Sequence, residues 1–195
     1  MLHIAAMPRE GADRIESDEA ALVREAQENR AAFGLLYQRY VDRIYAYLRA
    51  RAGTAEDAAD LTQQVFLQAL TALPRYRVRR SPFAAWLFRI ARNSAINHHQ
   101  RHASTITWDL VPEALQPVIQ EDLAGRIMRQ ERFARLRIVF GALDPATREL
   151  LVLRFTAQLT IHEIAATLGT SDGATKMRLR RALDTLKEKY HDHTL

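Results

Sequence analysis

The sequence predicts an all-α fold: two small helical domains joined by a flexible linker, the second containing a helix-turn-helix. Three observations carry that prediction. Apolar residues recur three or four apart through most of the 195-residue chain, no alternating run is long enough for a strand, and one acidic, proline-bearing segment interrupts the periodicity past the middle. With 48% apolar residues the chain can fill real cores, which argues against global disorder.

Residues 1–17 are polar and marked by Gly and Pro; they are expected to be a variable tail without function, and Met7 is an alternative start. The first domain is assigned to residues 18–102. From Asp18 to about Ala52, Leu22, Ala26, Phe33, Leu36, Tyr37, Tyr40, Ile44, Tyr47 and Leu48 keep helical spacing until Gly53-Thr54 ends the run. Leu61, Val65, Phe66, Ala69, Leu70 and Leu73 form a second stripe that stops at Pro74. After a basic connector, "RYRVRRSP", Phe83, Leu87, Ile90 and Ser94 share one face of a third long helix ending near His102.

The segment 103–125, "ASTITWDLVPEALQPVIQEDLAG", has two prolines and only short, mixed apolar clusters, and is assigned as the linker. The second domain, 126–195, opens with a helix to about Ala142. In "LDPATRELLVLRF" that follows, Asp144 is placed to cap a helix and Pro145 to occupy its first turn.

Charge is sorted into blocks along a chain whose net charge is +5. Between Leu61 and His102 stand seven arginines and no acid; between Ala103 and Gly125 stand Asp109, Glu113, Glu121 and Asp122 and no Lys or Arg. Such sorting points to a polyanionic partner for the first domain. The absence of cysteine excludes disulfides and thiolate metal sites. Without a signal-like N-terminus or a run of roughly 18 apolar residues, a cytoplasmic protein with no direct membrane insertion is expected.

The stretch "TIHEIAATLGTSDGATKMRLRRAL", Thr160 to Leu183, admits two chemistries. A zinc-hydrolase helix beginning His162-Glu163 needs a second histidine four residues on, so that both imidazoles meet one metal, and that position is Ala166. No metal or other cofactor is therefore expected, nor a catalytic residue. A helix-turn-helix fits better: Ile161, Ile164, Ala165 and Leu168 make one apolar face, Gly169 suits a left-handed turn, and Ser171 suits a cap. On the second helix Thr175, Leu179, Ala182, Leu183 and Leu186 fall on the side expected to be buried. Gly173, Met177, Arg180 and Arg181 fall opposite, with Lys176 and Arg178 on flanks suited to phosphates. A basic, solvated helix in an ordinary bundle has the same composition.

On the helix from Pro82 to His102, Trp86, Asn93 and Asn97 share a flank, Arg89 lies beside them, and Arg92 extends the basic face. Unstacked bases need a stacking surface and partners for edges that a duplex hides, and this set supplies both. A core role for Trp86 is the competing reading.

Together these segments resemble sigma factors of the extracytoplasmic-function group, the compact two-domain class of bacterial transcription initiation subunits. In the first domain the resemblance rests on "FGLLYQRYVDRIYAYLRAR", "EDAADLTQQVFLQAL" and "FAAWLFRIARNSAINHHQR"; in the second, on "ALDPATRELLVLRF", "LTIHEIAATLG" and "GATKMRLRRAL". The chain departs from the usual pattern at Ala59, Gln64 and Asn97, where the family often has Glu, an acid and Asp.

The resemblance implies core RNA polymerase, promoter DNA and an anti-sigma factor as partners. It implies that the helix with Asp60, Leu61, Gln63 and Gln64 docks on the polymerase clamp. It assigns Arg77, Arg80, Ser81, Trp86, Arg89, Asn93 and Asn97 to melting the minus-10 element around a flipped base, and Lys176, Met177, Arg178, Arg180 and Arg181 to the minus-35 duplex. The acidic linker would thread toward the polymerase active centre; a plain solvated tether explains its composition equally well. A stand-alone helix-turn-helix regulator is the alternative function.

Overall fold

In the computed structural model, residues 9–77, 81–102, 131 and 134–192 are described, and every regular element among them is helical. The first helix, α1, spans Arg9–Glu28. It begins well before Asp18, so residues 9–17 of the expected tail are helical. Apolar periodicity signals burial, and this stretch has no apolar stripe. Arg9, Glu10, Ala12, Arg14 and Glu16 are good helix formers and, with no proline after Pro8, carry the helix past Gly11 without one.

Asn29 then breaks the chain direction: its side chain accepts a hydrogen bond from the Ala31 amide at 3.0 Å and starts a single tight turn, Arg30–Ala32. Helix α2, Phe33–Arg49, follows, and Thr54 caps α3, Ala55–Ala72, by accepting from the Asp57 amide at 3.0 Å. Helix α4 spans Phe83–His102. The stripes read from sequence meet as a core: Leu36, Tyr40, Ile44, Tyr47 and Leu48 of α2 are buried with Leu61, Val65, Phe66 and Ala69 of α3. Edge-to-face ring pairs orient the packing, with Tyr40 against Phe83 and Tyr47 against Phe88, each at 5.5 Å.

Helix α4 is buried more completely than its predicted single stripe. Phe83, Leu87 and Ser94 are buried as expected, but so are Ala84, Ala85, Phe88, Ala91 and Ala95. A helix apolar on two sides must be covered on two sides. Here α2 and α3 cover one and the second domain covers the other, α7 lying against α4.

That second domain comprises a helical segment at 134–141 (α5), α6 at Pro145–Leu151, one π turn at Val152–Thr156, α7 at Ile161–Leu168 and α8 at Asp172–Asp192. Phe140, Leu150, Leu151, Leu153 and Ile164 fill its centre, and the buried apolar residues run without a break into those of the first domain. The π turn packs on α2, where Arg43 donates to the carbonyls of Ala157 at 2.9 Å and Gln158 at 3.3 Å. The linker at 103–125 and residues 126–130 lie outside the described residues.

Asp144 caps α6 as expected, accepting from the amides of Ala146 and Thr147 at 3.0 Å each. Hydrogen bonds from the Thr147 hydroxyl and amide hold its carboxyl below the ordinary carboxylate range. A folded-state value depressed in this way stabilises the fold above the unfolded pKa and loses that contribution as pH falls through the folded value. Asp144→Ala is therefore expected to lower stability by about 1 kcal/mol at neutral pH. Denaturant unfolding followed by circular dichroism should show the two proteins converging under acid.

Candidate nucleic-acid interface

The helix-turn-helix is built by local rules. Thr160 accepts from the Glu163 amide at 3.2 Å while the Glu163 carboxylate accepts from the Thr160 amide at 2.7 Å, a complete capping box. Glu163 is thus held by the helix start, and His162 points instead to Asp172 across the turn, 3.2 Å away. Gly169 ends α7 in the left-handed region, φ 70° and ψ 36°, where a side chain is strained. Ser171 accepts from the Ala174 amide at 3.2 Å at the start of α8.

Helix α8 then divides as its wheel predicts. Thr175, Leu179, Ala182 and Leu186 are buried, Leu183 is half-buried, and Lys176, Met177, Arg178, Arg180 and Arg181 are exposed. Met177 is 51% exposed, with no partner to justify a thioether in water. At 100° per residue, Lys176 and Arg180 lie to one side of it and Arg178 and Arg181 to the other. The latter pair borders a shallow cavity of about 160 Å³ shared with Thr147 and Thr185.

On α4, Trp86, Arg89, Asn93 and Asn97 recur at helical spacing. Trp86 is half-buried, its ring 4.8 Å from Tyr76 and 5.4 Å from Phe83, so one side packs and the rest stays accessible. The connector's entry is fixed by Gln27 of α1, whose amide donates to the carbonyls of Leu73 at 2.9 Å and Tyr76 at 2.8 Å. Its ends are joined by the Tyr76 hydroxyl, which donates to the Ser81 carbonyl at 2.6 Å; burial, then the Glu19 charge, raises that phenol to about 12. Arg77 is exposed and Ser81 half-buried, while Arg80 lies outside the described residues. Asn93 and Asn97 are exposed; Arg89, also exposed, donates to the Ala166 carbonyl of α7 at 2.6 Å.

Asn97 also borders a cavity of about 140 Å³ between α3 and α4, with Leu61, Gln64, Gln68, Ser94, His98 and Arg101. The Ser94 hydroxyl there is buried with no hydrogen-bond partner among the described residues. Ser94 reads from sequence as part of the face shared with Phe83, Leu87 and Ile90, and its spacing to Asn97, His98 and Arg101 was the available signal; the facing amides of α3 left none, because spacing along one helix does not reveal what another brings to it.

On α3, Asp60, Gln63 and Gln64 are exposed together, but Leu61 is only 4% exposed and belongs to the core. It cannot serve as a docking contact, since α3 turns this position inward between α2 and α4. The exposed apolar residue on the Gln63 and Gln64 side of α3 is Leu67, 64% accessible and one turn further on, with Tyr37 of α2 42% accessible nearby against Phe66. Its spacing from Gln63 and Gln64 was the available signal.

Comparison with known proteins agrees with this geometry. Residues 36–105 match the family model described as Sigma-70 region 2, and residues 139–188 match Sigma-70, region 4. The chain is 32% identical over 181 residues to the ECF RNA polymerase sigma factor BldN of Streptomyces coelicolor, covering 91% of this chain and 68% of that one. It is 34% identical over 152 residues to the ECF RNA polymerase sigma factor SigD of Mycobacterium tuberculosis, covering 75% and 71%. Among solved structures, CnrH in complex with the cytosolic domain of CnrY aligns with a TM-score of 0.61 at 28% identity, over 87% of this chain and 95% of that one. With both regions present in order and these relatives spanning most of its length, the chain belongs to the ECF group of RNA polymerase sigma factors.

Proposed function

We propose that this chain is a dissociable promoter-specificity subunit that recruits core RNA polymerase to promoters and helps open the DNA. The observation that carries the reading is the division of α8: four cations and one exposed thioether lie outward of a packed apolar side, directly after a capped turn. Lys176 and Arg178 reach phosphates and hold register; Met177, Arg180 and Arg181 face the floor of a major groove, where arginine can bridge two acceptors of guanine. This is the minus-35 contact.

The connector and α4 act on the minus-10 element. Extruding a base costs a few kcal/mol, recovered only where the base finds a stacking surface and matched hydrogen bonds. The accessible part of Trp86, the amides of Asn93 and Asn97, and the guanidiniums of Arg77, Arg80 and Arg89 supply these. Ser81 lies at the entry to α4, and the polar cavity beside Asn97 is the candidate seat for a base edge. Melting and sequence reading become one step, because only suitable bases repay their extrusion.

The surface of α3 docks on polymerase, with Leu67 replacing Leu61 as its apolar contact amid Asp60, Gln63 and Gln64. Chemistry belongs to the polymerase, and no reaction is assigned to this chain. Its setting is the cytoplasm, and no described helix is long and apolar enough to cross a membrane. The structure of CnrH in complex with the cytosolic domain of CnrY supports a protein partner for this chain, which the resemblance to the family identifies as an anti-sigma factor. The stand-alone regulator is disfavoured, since it leaves the region 2 match and the α3 surface without a use.

Run-off transcription with purified core polymerase tests the reading: a promoter-dependent transcript should appear only when this chain is added, and none would refute it. Arg181→Ala should cost roughly 1 to 3 kcal/mol in DNA binding and relax preference at one base pair, whereas Arg178→Ala should weaken all sequences alike and lower the salt slope by about 1. Leu67→Asp should weaken binding to core polymerase without changing duplex binding through α8, measurable by competition against a labelled chain. Trp86→Ala should reduce permanganate reactivity of promoter thymines more than it reduces closed-complex formation.

A further inference from the structure

The second domain places a carboxylate inside the first. Glu149 of α6 is 7% exposed, and its oxygens meet the Tyr47 hydroxyl at 2.7 Å and the guanidinium of Arg51, itself 3% exposed, at the end of α2. Arg51 also donates to the Tyr47 hydroxyl at 2.9 Å, and Arg92 of α4 reaches toward the same carboxylate at 3.7 Å. One turn before Arg92 on α4, Arg89 donates to the Ala166 carbonyl of α7. Two arginines of the strand-facing helix are therefore engaged by the domain that carries the helix-turn-helix. A single strand that takes the bonded face of Arg89 competes with the Ala166 carbonyl for it.

We infer that the packed arrangement is a self-inhibited state, in which the chain's own second domain covers part of the strand-binding side of α4 and Glu149 latches it there. This rests on the assignment of α4 to strand binding. The form that binds opened DNA is the one in which the two domains have come apart.

A buried ion pair is a suitable latch. Its attraction roughly offsets the desolvation of its members, so the pair itself adds little depth to the closure, yet removing one member leaves the other buried and uncompensated and works against the contact. On opening, Glu149 and Arg51 regain water. The 23 residues from 103 to 125 would span up to about 80 Å if extended, so chain length does not forbid separation. A ligand that binds only the open form has its affinity reduced by the fraction open, and it pulls the equilibrium as it binds.

The full chain has no cysteine, so Gln38→Cys on α2 and Glu188→Cys on α8, both exposed, can carry a pair of spin labels. With Glu149 intact, electron double resonance should give one short distance; with Glu149→Gln, a longer and broader population should appear. A triple variant, Tyr47→Phe, Arg51→Met and Glu149→Leu, fills the same space without buried charge and should restore the short distance.

The same proteins should be titrated against a fluorescein-labelled 12-nucleotide single strand of mixed sequence. Glu149→Gln should bind it at least fivefold more tightly, and the triple variant no more tightly than the parent. Unchanged distances in Glu149→Gln, opening without gained affinity, or a triple variant that stays open would each overturn the latch. Failure of the parent chain in run-off transcription would instead refute the assigned function, while the label distances still judge the latch.

Discussion

A carboxylate taken out of water needs its charge balanced and its lone pairs filled, and Glu149 obtains both from the opposite domain, from Arg51 and Tyr47. The described architecture is consistent with that one constraint. With Glu149 seated on the end of α2, α6 lies beside the first domain and the π turn meets Arg43. Helix α7 then falls along α4, whose second apolar side, with Ala85 and Phe88, is covered as a result. The continuous core and the interdomain hydrogen bonds describe one packing event from two viewpoints.

The same packing gives the nucleic-acid faces unequal standing. The exposed side of α8 is complete in the packed form, since Met177 and its flanking cations touch nothing that must move. The side of α4 is not: Asn93 and Asn97 are exposed, but Arg89 is bonded to Ala166 and Arg92 leans toward Glu149. Under the proposed assignment, duplex reading by α8 needs only approach and charge neutralisation, whereas strand capture by α4 also has to free Arg89 from its carbonyl. The proposal then orders the two contacts, the duplex being gripped first and the strand afterwards.

Legibility in the sequence followed a physical boundary. Whatever depends on one helix and its own period was readable: the buried and exposed sides of α8, the caps at Asp144 and Ser171, and the left-handed Gly169. Whatever depends on a second element was not. Leu61 reads as a polar-flanked leucine on a docking face, and only the neighbouring helices show that its direction is inward while Leu67 points out. The start of α1 was missed because propensity, rather than an apolar stripe, carries residues 9–17. Glu149 sits in "RELL" like an ordinary surface acid, since nothing along α6 announces that an arginine from just past α2 will cover it. Trp86 is the intermediate case, half packed against Tyr76 and half accessible.

The central claim is that α4 meets DNA only as an unpaired strand and α8 only as a duplex. The most direct measurement places a photoactivatable crosslinker at Asn97→Cys or at Met177→Cys and maps the adducts in a complex with core polymerase on a promoter. The account predicts adducts from position 97 confined to nucleotides reactive to permanganate, and adducts from position 177 confined to protected, paired DNA. Adducts from both positions to paired DNA alone, in a complex whose thymines are nonetheless reactive, would contradict it.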